Sequence, residues 1–200
     1  MPIRVRLEFD EIRIHRERKR WNLYFIVVAD HPIDQDRRII SIIPNDTMKL
    51  SPAQENSYVF DSGPGSEGLF IFSQEMPISR AINAHVYLRH SRQTARSFGA
   101  VLAELSDLLK TDAGVDHIIE KNLSGVANVP WISIAKTAIE KLGQILAKIP
   151  DRDMGFLSVF ERFGNEFEIQ TDIDRYKEFT TGEASLVYSW SVEQEVEIPA

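Results

Sequence analysis

Residues 21–29 read WNLYFIVVA, apolar on odd and even positions alike. A strand with one wet face alternates apolar and polar residues, so a run apolar on both parities is read as a strand buried on both faces or central in its sheet. Upstream, Ile3, Val5, Leu7 and Phe9 alternate with Arg4, Arg6, Glu8 and Asp10, the period of a half-buried strand. The apolar set then moves to even positions at Ile12 and Ile14. If both sets face one core, an extra residue must sit near Asp10 and Glu11, which predicts a β-bulge there. The charged tract between these two strands reads as the loop of a long hairpin.

Downstream, Arg38–Ile43 reads as a short strand stopped by Pro44, which has no backbone donor. Tyr58–Phe60 and Leu69–Phe72 flank the turn-forming DSGPGSEG, and Ile82, Ala84, Val86 and Leu88 mark a strand with one buried face. Near the end of the chain, Phe156–Phe160 and Phe167–Ile173 read as strands. Ala184, Leu186, Tyr188, Trp190 and Val192 share one parity in a third.

Between the two strand-rich stretches lies an interruption. Phe98, Val101, Leu102, Leu105, Leu108 and Leu109 recur at intervals of three and four, the mark of an amphipathic helix. A weaker helical pattern follows at Val115, Ile118, Ile119 and Leu123. Pro130 stands ahead of Trp131, Ile134, Ala138, Leu142, Ile145 and Ile149, with Pro150 closing the run, which predicts a second helix over roughly 130–149. The expected fold is mainly β: a single-domain antiparallel sandwich over 1–200, with a helical insertion at about 93–150. The helical stripes are expected to pack on the sandwich or to be presented to a partner, and Lys136, Lys141 and Lys148 on the polar face suit a membrane surface.

With 43% hydrophobic and 26% charged residues the chain has ordinary globular composition. A net charge of −7 argues against general nucleic-acid binding, which needs cations to displace phosphate counterions. The absence of cysteine removes disulfides, thiol nucleophiles and zinc–thiolate sites. No signal-peptide core or spanning segment is read, so a cytoplasmic location is expected.

Taken together, IRVRLEFDEIRIH, WNLYFIVVADH and DRDMGFLSVF resemble the C2-like β-sandwich superfamily. The resemblance implies a non-catalytic module that carries its binding loops at one end, sometimes with calcium and anionic lipid held through aspartates. Transferred to this chain, the implied metal ligands are Asp30, Asp34 and Asp36 with Asp151 and Asp153. Oxygen ligands from several carboxylates suit calcium, whereas aspartates in turns also serve simply as hydrogen-bond acceptors.

Arg13, Arg16, Arg18, Lys19 and Arg20, followed by Trp21, form the dense positive tract of an acidic chain and are the candidate partner surface. Attraction between this tract and the acidic C-terminal fifty residues is a further expectation. No G-x-S-x-G elbow, H-E-x-x-H pair or phosphate-binding loop is present. Glu161, Glu166 and Glu168 offer carboxylates for a glycosidase but no known spacing in space. A non-enzymatic module docking to a protein or an anionic membrane surface, through one loop end and the insertion, is the expected function. The alternatives are a structural subunit of a larger assembly and an enzyme with a dispersed acid/base site.

Overall fold

Strand β2 (Trp21–Asp30) is hydrogen-bonded on both sides, between β3 (Arg37–Leu50) and β6 (Ala81–His90), and every residue from Leu23 to Ala29 is buried. The computed structural model describes residues 3–16, 20–50, 57–60, 68–92, 98–164 and 171–194. β2 is central to a six-stranded sheet that also holds β7 (His117–Glu120), β8 (Trp131–Ala135) and β9 (Arg152–Arg162), in the order β7-β8-β3-β2-β6-β9. The second sheet is built on β1 (Ile3–Ile14). One side of β1 pairs with β11 (Ala184–Gln194), which pairs in turn with β10 (Thr171–Glu178). The other side is shared by β4 (Ser57–Val59) and β5 (Leu69–Glu75). All pairings are antiparallel, so the mainly β sandwich read from the sequence is the architecture found.

The double burial of β2 has two separate causes. Its odd residues Leu23, Phe25 and Val27 join Leu7, Phe9, Leu186 and Trp190 in a core between the sheets. Its even residues Tyr24, Ile26 and Val28 join Ile40 and Ile42 in a second core on the outer face. That outer core is roofed by the insertion: helix α1 (Phe98–Asp107), a π-helical turn (Leu108–Asp112) and helix α2 (Ile139–Lys148). Val101, Leu105, Leu109, Leu142, Ile145 and Leu146 supply its apolar faces. Each fully buried aliphatic side chain contributes roughly 1.5–3 kcal/mol. The apolar faces of α1 and α2 are thus consumed by the fold, whereas Ile118 and Ile119 of the weaker pattern are exposed.

The interior of the insertion departs from the helical reading. Trp131–Ala135 is a strand, and the second helix begins after a 3-10 turn (Lys136–Ala138). Trp131 enters the inner core while Ile132 and Ile134 enter the outer one, so the segment is buried on both faces like β2. Tryptophan and β-branched isoleucine suit that environment, and the edge of β3 supplies the ladder from Arg37↔Ala135 to Ile40↔Ile132. The segment read as a weak helix holds β7, paired with β8. Two strands of the large sheet therefore come from the insertion.

The predicted bulge is present, with Phe9 opposite Tyr188 and Glu11 opposite Val187, leaving Asp10 as the extra residue. β1 and β2 do not form a hairpin. They lie in different sheets, so the charged tract is a crossing between layers. β3 also continues through Pro44 rather than stopping there. Leu23 faces Met48 and Phe25 faces Ile43, so Pro44 falls in an irregularity where no ladder donor is required. Two expected features, the DSGPGSEG turn up to residue 67 and the start of Phe167–Ile173, lie outside the described residues.

The β7–β8 connection closes one side of the sandwich. Phe72 bridges Val126, the Ser73 amide donates to the Gly125 carbonyl, and the Ala127 amide donates to Ile71 at 2.8 Å. Gly125 has φ +80°, and a Cβ there would overlap the Ser73 carbonyl oxygen. Gly125→Ala is expected to cost about 2 kcal/mol, read as a lower urea midpoint at unchanged slope. At the bulge, burial raises the Asp10 pKa above 3.8, Ser189 opposes that shift, and Asp174 reinforces it. A carboxyl raised in the folded state makes stability fall as pH climbs from the unfolded pKa through the folded one. Asp10→Asn should therefore raise the melting temperature at pH 7, with a gain that shrinks toward zero below about pH 3.8.

Candidate functional site

At one end of the sandwich the β2–β3 loop, the β5–β6 loop and Lys136 enclose a cleft of about 570 Å³. The first loop is tied down by its own polar groups. Nδ1 of His31 accepts the amides of Ile33 and Asp34 at 3.2 and 3.0 Å, and its Nε2 faces the Glu120 carboxylate at 3.3 Å. Asp34 Oδ1 accepts the Asp36 amide at 3.0 Å, and the Asp36 carbonyl accepts the Lys136 amide at 2.7 Å. Arg37 donates to the Ser133 carbonyl at 2.7 Å, which fastens the loop to β8. In the second loop a turn closes from the Arg80 amide to the Pro77 carbonyl, with Arg80 at φ 50°.

These hydrogen bonds hold each loop tip outward. Pro32-Ile33 and Pro77-Ile78 form the tips, and Ile33 is 74% and Ile78 101% exposed. Between them the lining carries two carboxylates, Asp30 and Glu75, and two cations, Arg38 and Lys136. Asp30 and Arg38 pair at 2.8 Å. Alongside, burial and then Arg38 push the His85 pKa down against the pull of Asp30, which keeps that imidazole neutral at pH 7. The site therefore combines apolar rims with a charge-balanced floor.

The five aspartates named as metal ligands divide into two groups. Asp153 lies level with Arg89 and Tyr24, six residues along β2 from Asp30, a separation of about 20 Å. Asp151 is buried and accepts the Tyr24 hydroxyl at 2.7 Å and the Arg92 amide at 3.3 Å. Asp153 pairs with Arg89 at 3.4 Å. Asp34 and Asp36 serve their own loop. The single carboxylate cage inferred from the resemblance is not assembled, and among the described residues no three His, Asp or Glu side chains are placed to hold a metal.

The basic tract is also redistributed. Trp21 is fully buried in the inner core, with the His90 ring edge-on at 5.0 Å and the Arg152 guanidinium 6.0 Å above it, so it is not a surface aromatic. Arg13 pairs with Glu11 at 3.0 Å and Arg16 with Glu183 at 2.9 Å, the latter joining the tract to the C-terminal region within one chain. Arg20 is exposed, and Arg18 and Lys19 lie outside the described residues. On the insertion, Lys141 donates to the Ala113 carbonyl at 2.9 Å and Lys148 pairs with Asp112 at 3.0 Å. Those two lysines join α2 to the π-helical turn. Glu161 pairs with Arg175 at 2.9 Å, and Glu166 and Glu168 lie outside the described residues.

No protein-family model matches the chain, and no curated protein matches its sequence. No helix among the described residues is long and apolar enough to cross a membrane.

Of the three aspartates that sequence reading singles out on the β2–β3 loop, Asp30 lines the cleft while Asp34 and Asp36 do not, and the reading misses Ile33 and Ile78. The available signal was the repeated Pro-Ile in HPID and MPIS, an apolar residue at a turn where a polar one is usual. With the aspartates split between two ends, millimolar calcium is expected to leave the melting temperature unchanged. A native-state site would raise it by mass action, so an upward shift would contradict the division described above.

Proposed function

We propose that the protein is a binding module that docks a protein partner on the loop end formed by residues 30–38 and 75–81. The observation that carries this reading is the pair of exposed isoleucines at the rim of one cleft. Anchor residues of protein interfaces are apolar groups that enter partner pockets and lose their water, with polar groups around them fixing orientation. Ile33 and Ile78 would be the anchors, and Asp30, Arg38, Glu75 and Lys136 the orienting set. Burying both side chains is worth roughly 3–6 kcal/mol in gross terms, before the cost of association.

Charge favours a protein over an anionic membrane surface. Recruitment to anionic lipid relies on an excess of Lys and Arg, whereas the cleft is balanced and the chain carries −7. The C2-like resemblance supports the same placement of binding on loops at one end, although the calcium-dependent form of it draws no support from the separated aspartates. The apolar faces of α1 and α2 are committed to the outer core. The insertion contributes to this docking end Lys136 and the fastening of the first loop through Ser133.

The test is photo-cross-linking in expressing cells from a reactive residue at position 78, with position 176 as the control, since Tyr176 is 60% exposed on the other sheet. A discrete adduct from position 78, absent from 176 and lost in Ile33→Asp, is the expected result. Equal adducts from both positions, or none from either, would overturn the reading. Sedimentation of the purified protein onto anionic vesicles, lost in Ile33→Asp/Ile78→Asp, would reassign the tips to a membrane.

A further inference from the structure

The insertion places a serine hydroxyl on an imidazole at a site separate from the cleft. Ser106 lies in the last turn of α1, and its Oγ is 2.6 Å from Nε2 of His117, the first residue of β7. The other ring nitrogen, Nδ1, is 3.4 Å from the Val115 carbonyl, which can only accept a hydrogen bond. A ring proton on Nδ1 satisfies that contact and leaves the Nε2 lone pair facing the serine hydroxyl. Ser106 then donates to His117, the polarity that general-base activation of a hydroxyl requires.

The backbone around the pair is held from below. Directly after α1 the chain runs into the π-helical turn Leu108–Asp112, a distortion frequent at functional sites. The Ala113 and Val115 amides donate to Leu108 and Leu109, so the turn fixes the carbonyl that orients His117. Leu105, Leu109 and Val115 are buried in the outer core, while Ser106 and His117 are only partly buried. A nucleophile and base on a rigid floor, open to solvent, form two parts of the nucleophile–base–orienter arrangement, with a backbone carbonyl as the third.

We propose that Ser106 is a nucleophile activated by His117, able to accept an acyl or phosphonyl group from an activated ester or its phosphonyl analogue. In that step the Ser106 Oγ forms a bond to the carbonyl carbon while its proton passes to His117 Nε2. The ester C–O bond breaks, the leaving alkoxide takes the proton back from His117, and the acyl group remains on Ser106. With a fluorophosphonate, the Oγ–P bond forms, the P–F bond breaks, fluoride departs and His117 retains the proton.

The test is the rate of labelling of the full chain by a fluorophosphonate, with the modified residue located by peptide mass spectrometry. Label on Ser106, absent in Ser106→Ala and slowed at least about 100-fold in His117→Gln, is the expected result. Melting temperatures of both variants should match the parent, and His117→Asn, measured in parallel, serves as the base-deficient form if His117→Gln does not fold. Absence of label, label at other hydroxyls only, or a rate on Ser106 independent of His117 would overturn the proposal.

Discussion

The architecture depends on one constraint: β2 is apolar on both faces, and neither face can be left in water. Its inner face is met by the five-stranded sheet, as in any two-layer sandwich. Its outer face needs a third layer, and the insertion supplies it through α1, the π-helical turn and α2. The insertion is therefore part of the fold rather than an appendage to it. Removing the helices would expose Tyr24, Ile26, Val28, Ile40 and Ile42 together, a patch large enough to drive association.

The same constraint explains why the insertion contributes strands as well as helices. β3 has the doubly apolar pattern too, with Ile39 and Ile43 inward and Ile40 and Ile42 outward, and it needs a ladder partner on the side away from β2. β8 is that partner. Once β8 is fixed, the β7–β8 connection reaches β5 in the opposite sheet through Gly125, Val126 and Ala127. One segment thus extends the large sheet, roofs it and closes the sandwich edge. β9 and β10 meet at the other edge, where Lys177 donates to the Ser158 carbonyl at 2.7 Å and the Thr180 amide to Phe156 at 3.0 Å.

What was legible in the sequence was parity. β1, β2, β6 and β11 were readable because a period of two, or its absence, reports directly on which faces are buried, and the slip from Phe9 to Ile12 located the bulge for the same reason. Trp131, Ile134 and Ala138 also fit a helical period, but that fit was accidental: Trp131 and Ile134 belong to different cores on opposite faces of a strand. A five-residue strand buried on both faces over Trp131–Ile134 cannot be told from a helix turn by spacing alone, and only the open edge of β3 decides between them. Partner choice was equally hidden. Proximity in sequence suggested a β1–β2 hairpin, whereas the charged tract crosses between sheets, and Arg16 finds Glu183, 167 residues away.

The proposed functional groups were harder to read than the fold because none depends on a local motif. Asp30–Asp36 and Asp151–Asp153 look equivalent as sequence, yet strand register sends them to opposite ends of one sheet. Ile33 and Ile78 acquire meaning only because β2–β3 and β5–β6 turn at the same end. Ser106 and His117 stand eleven residues apart across a change from helix to strand, a spacing no motif encodes. In each case the sheet carries the information. Burial requirements set the register, register sets which loop ends share a rim, and the chemistry available at that rim follows from residues that would be unremarkable anywhere else in the chain.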